Sequence, residues 1–200
     1  MSKSGNFKKN LKKTWYFIWE DDSIYSWIVN IILAFVLIKF VVYPGLGFFL
    51  STTHPIVAVV SGSMEHSSQF DNWWNLNEGW YSSKGITEQD FLSYPYKNGF
   101  NKGDIMILKG QDPSVIKLGD VIVFRSSRPD PIIHRVVKKW DEKGVYYFQT
   151  KGDNNPDSIK SSYLDETRIF EERLIGKAVF RIPLLGYIKI WFVELINLFI

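Results

Sequence analysis

The 200-residue sequence has no cysteine, only three histidines and only a small excess of positive charge. The lack of cysteine excludes disulfide bonds and thiol catalysis, and it leaves the cellular compartment undetermined. A net charge of +3 gives no reason to expect a nucleic-acid partner. With 46% hydrophobic residues, the chain is long enough to form one sizeable core in addition to membrane segments.

Basic residues are also missing from one long stretch. Five lysines lie within the first 13 residues, whereas no lysine or arginine occurs between Lys39 and Lys84. Because Lys and Arg are enriched in the cytoplasmic flanks of membrane spans, this asymmetry predicts a cytoplasmic N-terminus. We therefore expect a protein of the cell membrane whose folded domain lies on the extracytoplasmic side.

Residues 27–50 form an apolar run in which only Asn30 and Lys39 are strongly polar. About 20 apolar residues cross a bilayer, and this run is too long for a cleaved signal peptide, so it predicts a permanent transmembrane anchor. Residues 1–26 mix lysines with large apolar side chains, which favours a helix on the inner membrane surface. A second apolar run, 182–200, carries its polar residues along one side, so both an interfacial and a transmembrane helix remain open.

Residues 51–181 have the alternation of turn signals and short strands that is typical of a β-rich domain. Gly-Asp pairs adjoin short runs of β-branched and aromatic residues, as is typical of turns between strands. The predicted strands are 57–60, 105–108, 121–124, 132–137, 145–148 and 177–181. Residues 65–102 show no steady period, and we interpret them as an insertion with a short helix near 87–91, where Thr87 and Asp90 can form a capping box. The fold class predicted from this pattern is mainly β.

A Ser-Gly-Ser-Met tetrapeptide at residues 61–64 follows the first predicted strand. Gly62 permits a tight turn that exposes a serine hydroxyl and leaves backbone N–H groups free to bind an oxyanion. Most such triplets are ordinary loops, so the turn indicates catalysis only if a base accompanies it. A serine hydroxyl needs that base because it is a poor nucleophile at neutral pH.

The three histidines are the candidates for this base. His54 lies just past the membrane run and His66 lies in a loop, so a surface or interfacial role suits both. His134 lies among the apolar residues of the predicted strand 132–137. The presence of the Ser63 turn makes His134 the best candidate for the base. Either Asp153 or Asp157 could orient its imidazole. Asp153 follows a glycine and is suited to capping a turn, which makes Asp157 the better candidate.

Four motifs occur in a fixed order along the chain. They are S-G-S-M at 61–64, G-D-V-I-V-F at 119–124, I-H-R-V at 133–136 and K-G-D-N-N at 151–155. Together they resemble the type I signal peptidases, in the archaeal and endoplasmic-reticulum branch that has His where the bacterial branch has a lysine base. The resemblance implies a signal-peptidase-like β-domain with an N-terminal transmembrane helix, followed here by a C-terminal hydrophobic helix.

The resemblance also implies roles for individual residues. Ser63 would be the nucleophile, His134 the general base, Asp157 the orienting acid and Asp153 a supporting carboxylate. Ser61 would supply a hydroxyl to the oxyanion hole, beside the backbone N–H of Ser63. The implied reaction is removal of signal peptides by a serine endopeptidase through an acyl-enzyme, with no cofactor and no metal.

The chain departs from the family pattern in three places. His66 stands at or near a position that is usually Pro, and the insertion 65–102 replaces a much shorter link. Matching Asp157 to the family's acid requires a two-residue gap, so Asp165 remains an alternative.

The partners implied are secretory preproteins, the lipid bilayer and contacts with the secretion machinery. An extended substrate could add as a strand at 57–60 or 132–137. Two alternatives from other classes remain open. One is a non-catalytic, membrane-anchored β-domain that acts as a binding or assembly subunit, and the other is a metal-dependent hydrolase that uses His134, Asp153 and Asp157.

Overall fold

A computed structural model describes residues 3–127 and 129–197. The chain divides into two compact units, Met1–Phe49 and Leu50–Ile200. The first unit is helical, and the second contains the β-sheet and every residue proposed above for catalysis.

The N-terminal unit consists of helix α1 (Lys3–Trp19) and a long apolar helix. The apolar helix is made of α2 (Ile24–Leu37), a π-helical stretch (Ile38–Val42) and α3 (Tyr43–Phe49). It begins where the Ser23 side chain accepts a hydrogen bond from a backbone N–H of the first turn. It is 26 residues long, an 18-residue stretch of it has a mean hydropathy of 2.2, and it is long and apolar enough to cross a membrane. This helix coincides with the predicted anchor at 27–50.

The second unit is built on one seven-stranded antiparallel sheet in the order β1-β2-β7-β3-β4-β5-β6. Its strands are β1 (Ile56–Ala58), β2 (Ile105–Lys109), β3 (Val121–Phe124), β4 (Ile132–Glu142), β5 (Val145–Lys151), β6 (Ile169–Phe170) and β7 (Leu174–Ile182). The mainly β fold class is confirmed. Each predicted strand overlaps an observed one, while β6 was not predicted.

The sheet is covered on both faces at its centre. Along β3, Val121 and Val123 belong to one apolar cluster, whereas Ile122 and Phe124 belong to another. Successive side chains of a strand point to opposite faces, so the two clusters lie on the two sides of the sheet. This explains why β3 is apolar at all four positions rather than alternating.

Two Gly-Asp turns precede strands as the sequence predicted. Gly103 (φ +89°) and Gly119 (φ +83°) adopt the left-handed conformation that glycine tolerates best. Asp104 and Asp120 each accept a hydrogen bond from the backbone N–H three residues earlier, at 2.8 Å and 2.9 Å. Each carboxylate therefore closes the turn that begins β2 or β3.

The predicted insertion carries helices α4 (Phe70–Ser83) and α5 (Glu88–Leu92). The capping box of Thr87 and Asp90 is present at the start of α5, as expected. Helix α4 was not predicted, because polar Asn, Asp and Ser residues obscure its period. Its buried aromatic residues nevertheless follow helical spacing and pack around Phe91.

Helix α6 (Tyr187–Asn197) follows β7 within the predicted apolar run 182–200. Pro183 and the left-handed Leu184 (φ +62°) separate strand from helix. Ile188, Trp191 and Leu195 are exposed on α6. The end of that run, 198–200, lies outside the described residues.

Candidate active site

The nucleophile turn lies directly after the short edge strand β1. Val59 fixes the exit from the strand, since its N–H donates to the Asp104 carbonyl and its carbonyl accepts from Gly103 N, both at 2.8 Å. Met64 is fully buried and anchors the other end of the turn in the core. Between these two anchors, Ser61 and Ser63 project at the surface of the cleft described below.

Ser63 and His134 meet across this cleft. The Ser63 Oγ and His134 Nε2 atoms are 2.9 Å apart. His134 is held on β4 by pairing with Ile122 of β3, and only 4% of it is exposed. This is the geometry required of a serine hydroxyl and the base that takes its proton. The structure thus brings together two residues that lie 71 positions apart in the chain.

A carboxylate that the sequence interpretation did not select occupies the other side of the imidazole. Glu166 Oε1 is hydrogen-bonded to His134 Nδ1. Glu166 is fully buried and also accepts hydrogen bonds from Thr150 Oγ1 and the Ile159 backbone N–H, both at 2.8 Å. With three donors the carboxylate is fixed in the orientation that keeps the proton on Nδ1 and leaves Nε2 free toward Ser63.

Asp157 is placed elsewhere, and this differs from the sequence-based assignment. Its Oδ1 accepts from Trp80 Nε1 at 3.0 Å and from the Ser158 backbone N–H at 2.7 Å, and the residue is exposed. Asp165, the alternative, accepts from the backbone and the hydroxyl of Thr167. The Nδ1 position that both were considered for is held by Glu166.

Asp153 lies behind the site in a fully buried charge network. Arg135, the residue after His134, donates to it from Nε at 2.8 Å and from Nη2 at 2.7 Å. His66 Nε2 and the Tyr81 hydroxyl contact the same carboxylate at 3.0 Å and 3.3 Å. Burial alone would raise the pKa of Asp153, but the Arg135 charge and the hydrogen bonds from His66 and Arg135 hold it well below its usual range.

The loop that contains Asp153 also supports the nucleophile. The Asn154 backbone N–H donates to the Ser63 carbonyl at 2.8 Å, and its side-chain amide donates to the Gly62 carbonyl at 3.1 Å. Gly152 packs so closely that a Cβ atom there would lie 2.8 Å from the Ser63 carbonyl and 2.9 Å from His134 Nε2. Only glycine fits at this point without displacing the dyad.

Ser61 lies beside the nucleophile, with its Oγ 3.1 Å from Ser63 Oγ. A hydroxyl at this distance can reach an oxyanion that forms on a carbonyl carbon bonded to Ser63. The structure therefore brings the two hydroxyls together, and the oxyanion role of Ser61 stays a prediction.

A cleft of about 410 Å³ opens in front of the dyad. Its apolar walls come from the β1 segment and the start of β4, and Asp130 contributes a carboxylate. The residues that line it are Val57, Ala58, Val60, Ser61, Ser63, Pro129, Asp130, Pro131, Ile132, Ile133 and His134. Such walls suit small apolar side chains held close to the serine.

Two free strand edges border this cleft. Within residues 3–127 and 129–197, strand β1 is the last strand of the sheet and pairs only with β2 on its other side. Residues Ile132, Ile133 and His134 of β4 pair with β3, whereas pairing with β5 begins only at Arg135. An extended peptide between these edges can form backbone hydrogen bonds as an added strand.

The remaining histidines have other partners. His54 Nδ1 contacts Thr53 Oγ1 at 2.8 Å, and His66 belongs to the Asp153 network. Across residues 3–127 and 129–197, no group of three His, Cys, Asp or Glu side chains is arranged to hold a metal ion. His134, Asp153 and Asp157 thus do not form a ligand set.

A serine–histidine–carboxylate array, with its histidine and carboxylate buried and its serine at an apolar cleft, places the protein in the class of serine hydrolases. No family model matches the chain. It is 31% identical over 167 residues to the signal peptidase complex catalytic subunit SEC11 of Komagataella phaffii. That alignment covers 78% of this chain and 76% of the relative. It is 30% identical over 161 residues to the same subunit of Lachancea thermotolerans, with 78% and 76% covered. The chain belongs to the type I signal peptidase family.

Proposed function

We propose that the protein is a membrane-bound serine endopeptidase that removes signal peptides from secretory preproteins, with Ser63 as nucleophile and His134 as general base. The observation that carries the proposal is the 2.9 Å contact between Ser63 Oγ and His134 Nε2 at the wall of an apolar cleft. The curated relatives, which are signal peptidase catalytic subunits, support the same substrate class.

Acylation begins when Ser63 Oγ attacks the carbonyl carbon of the scissile peptide bond and His134 Nε2 takes the hydroxyl proton. The carbonyl oxygen becomes an oxyanion, stabilised by the Ser61 hydroxyl and the Ser63 backbone N–H. Glu166 stabilises the imidazolium that forms, and it takes the role first assigned to Asp157. His134 then gives its proton to the leaving amine, the C–N bond breaks, and the signal peptide remains as an ester on Ser63.

Deacylation repeats these steps with water. His134 takes a proton from the water as the oxygen attacks the ester carbonyl, and it returns the proton to Ser63 Oγ as the C–O bond breaks. The products are the free carboxylate of the signal peptide and the regenerated dyad. Asp153 acts in this scheme as a supporting carboxylate that holds the loop behind the dyad.

The substrate in this proposal is an extended segment that ends in small residues, as signal peptides do at their cleavage sites. The segment adds as a strand between β1 and the free start of β4, which directs alternate side chains into the apolar walls. The proposed topology has the N-terminus in the cytoplasm, an anchor in the cell membrane and the catalytic domain on the extracytoplasmic side. The N-terminal lysines and the absence of Lys and Arg from residues 40–83 support it.

The test is cleavage of a model preprotein in membranes by the wild type and by Ser63→Ala, His134→Ala, Asp153→Ala and Asp157→Ala variants. We expect the first two to lose nearly all activity and Asp157→Ala to retain most of it. A fluorophosphonate should label the wild type at Ser63, which a non-catalytic binding subunit would not allow. Cleavage at the wild-type rate by Ser63→Ala would refute the mechanism.

A further inference from the structure

The loop of residues 151–157, here called the Gly152 loop, touches the dyad on one of its sides. Asn154 donates two hydrogen bonds to the nucleophile turn, and Gly152 lies against the Ser63 carbonyl and His134 Nε2. A small shift of this loop therefore moves Ser63 relative to His134. Such a shift would slow the reaction, because displacement of reacting groups by about 1 Å can reduce a rate about 100-fold.

On its other side the Gly152 loop meets the inserted segment, residues 65–102. Asp153 Oδ2 accepts from His66 Nε2 at 3.0 Å, and Oδ1 accepts from the Tyr81 hydroxyl at 3.3 Å. Only 3% of the His66 side chain and none of the Asp153 side chain is exposed. Both donors thus contact the carboxylate out of water, where a hydrogen bond holds position most strongly.

Aromatic rings of the inserted segment pack against both donors. The His66 ring stacks on Trp73 with centroids 3.7 Å apart and planes at 7°. Tyr81 is fully buried, and its ring centroid lies 5.8 Å from that of Trp73, 5.7 Å from Trp74 and 5.0 Å from Phe91. The donors are therefore fixed by an aromatic cluster that belongs to the insertion.

Helix α4 contacts the Gly152 loop at two further points. Trp80 Nε1 donates to Asp157 Oδ1 at 3.0 Å. The Lys151 ammonium lies 5.1 Å from the ring centroid of Trp80 and 5.0 Å from that of Tyr81, within range of a cation–π interaction. The helix thus spans the loop from its first residue to its last.

Charge neutralisation does not require these donors. Arg135 alone supplies a hydrogen bond to each oxygen of Asp153. The bonds from His66 and Tyr81 come in addition, and they approach from a different element than the β4 strand that carries Arg135. What they add is a second fixed direction of contact on Asp153.

We propose that the insertion supplies two positioning residues, His66 and Tyr81, which hold Asp153 and thereby fix the Gly152 loop behind Ser63 and His134. The proposal rests on the proposed function, since it takes Ser63 as the nucleophile and His134 as its base. The insertion is in this respect an internal brace of the catalytic site. Neither residue touches the reacting atoms, so their effect passes entirely through the loop.

The test compares full-length Tyr81→Phe, His66→Phe and His66→Gln in detergent. Tyr81→Phe removes only the hydroxyl, and His66→Phe keeps an aromatic ring against Trp73 but removes the donor, while His66→Gln keeps a donor. Tyr147→Phe is the matched control, because it removes a tyrosine hydroxyl from β5, where the Tyr147 ring packs against Arg168 and Phe170 rather than against the Gly152 loop. The readouts are kcat and KM for a preprotein, the rate at which a fluorophosphonate labels Ser63, and the thermal midpoint.

We expect Tyr81→Phe and His66→Phe each to lower kcat about tenfold with KM within about twofold of wild type, because only positioning is lost. Labelling of Ser63 should slow in parallel, His66→Gln should recover most of the rate, and Tyr147→Phe should match wild type. Unchanged kcat in both donor-less variants would overturn the proposal, as would a loss that disappears once activity is divided by the folded fraction.

Failure of the proposed function gives a different result. If the wild type cleaves no preprotein but Ser63 labelling still slows in Tyr81→Phe and His66→Phe, the brace stands without that substrate. If the wild type cleaves preproteins and both variants label and cleave as fast, the brace is refuted while the function stands.

Discussion

Glu166 is hydrogen-bonded to His134 through a carboxylate oxygen on Nδ1 of the imidazole. Glu166 accepts two further hydrogen bonds, from the Thr150 hydroxyl to Oε1 and from the Ile159 N–H to Oε2. All three partners are donors, so the site requires an acceptor at both oxygens. A carboxylate meets that requirement, and an amide of the same shape does not.

Glu166→Gln should therefore reduce kcat severely, by about 10³–10⁴-fold, while Asp157→Asn should reduce it by less than about tenfold. In Glu166→Gln the amide NH₂ must face either Ile159 N–H or the side shared by His134 and Thr150. The first orientation places the amide NH₂ against the Ile159 N–H, so that two donors face each other. The second donates to His134 Nδ1 and so favours the tautomer with the proton on Nε2, which cannot accept the Ser63 proton. Steady-state cleavage of a preprotein by the two variants measures the difference. The reverse order of severity would return the role to Asp157.

The sequence located the serine and the histidine because each lies in a local pattern, a turn after a strand and a polar residue within an apolar strand. Glu166 has no such pattern. Its place depends on residues 159–166 folding back, where the Glu166 carbonyl accepts from Thr150 N and its N–H donates to the Ile159 carbonyl. The alternative Asp165 was one residue away, but it points to Thr167 instead. In an irregular segment, composition does not indicate which of two neighbouring side chains points toward His134.

Ser61→Ala should lower kcat by about 10²–10³-fold without abolishing turnover, because the Ser63 backbone N–H remains as an oxyanion donor. The expectation follows from the 3.1 Å distance between the hydroxyl oxygens of Ser61 and Ser63. Initial rates with saturating preprotein test it, with Ser63→Ala defining the background. Wild-type kcat in Ser61→Ala would exclude this hydroxyl from the oxyanion hole.

Asp153→Asn should lower stability, because it leaves the fully buried Arg135 guanidinium without its counter-charge. Breaking one partner of a buried pair costs about 3–5 kcal/mol, which for a chain of this size lowers the thermal midpoint by roughly 10 °C. Thermal unfolding at pH 7 measures it, and Glu142→Gln is the control because the side chains of the Glu142–Arg168 pair are each nearly half exposed. Equal midpoints for the two variants would contradict the role given to the buried pair.

The same pair fixes the direction of a pH effect. The pKa of Asp153 is held below its ordinary value, so its contribution to stability is complete above about pH 3.9 and is lost as the pH falls below it. The gap in thermal midpoint between the wild type and Asp153→Asn should therefore be constant from pH 5 to 7. A gap that closes within that range would show that the pKa is not lowered.

The insertion shows a second limit of sequence reasoning. The capping box of Thr87 and Asp90 predicted α5 from the sequence, because a capping box requires only two residues at a fixed spacing. Helix α4 has buried aromatic residues on one face but Asn, Asp, Gly and Ser elsewhere, so its propensity is low. Its stability comes from packing of Trp73, Trp74 and Tyr81 against the rest of the cluster. Tertiary contacts of this kind, including those to the Gly152 loop, leave no local signal.

Lys151 is a buried cation whose cost should depend on pH. Burial lowers its pKa to about 8, although Asp153, Asp157 and Glu166 favour its charged form. Between about pH 8 and the ordinary lysine value near 10.4, the unfolded chain binds more protons than the folded one, so stability rises with pH in that window. The thermal midpoint of the wild type should therefore rise relative to that of Lys151→Met between pH 8 and 10. Below pH 7.5 the difference between the two midpoints should stay constant. The exposed Lys138→Met controls for loss of a lysine charge, and a constant gap across the range would show that the pKa of Lys151 is not lowered.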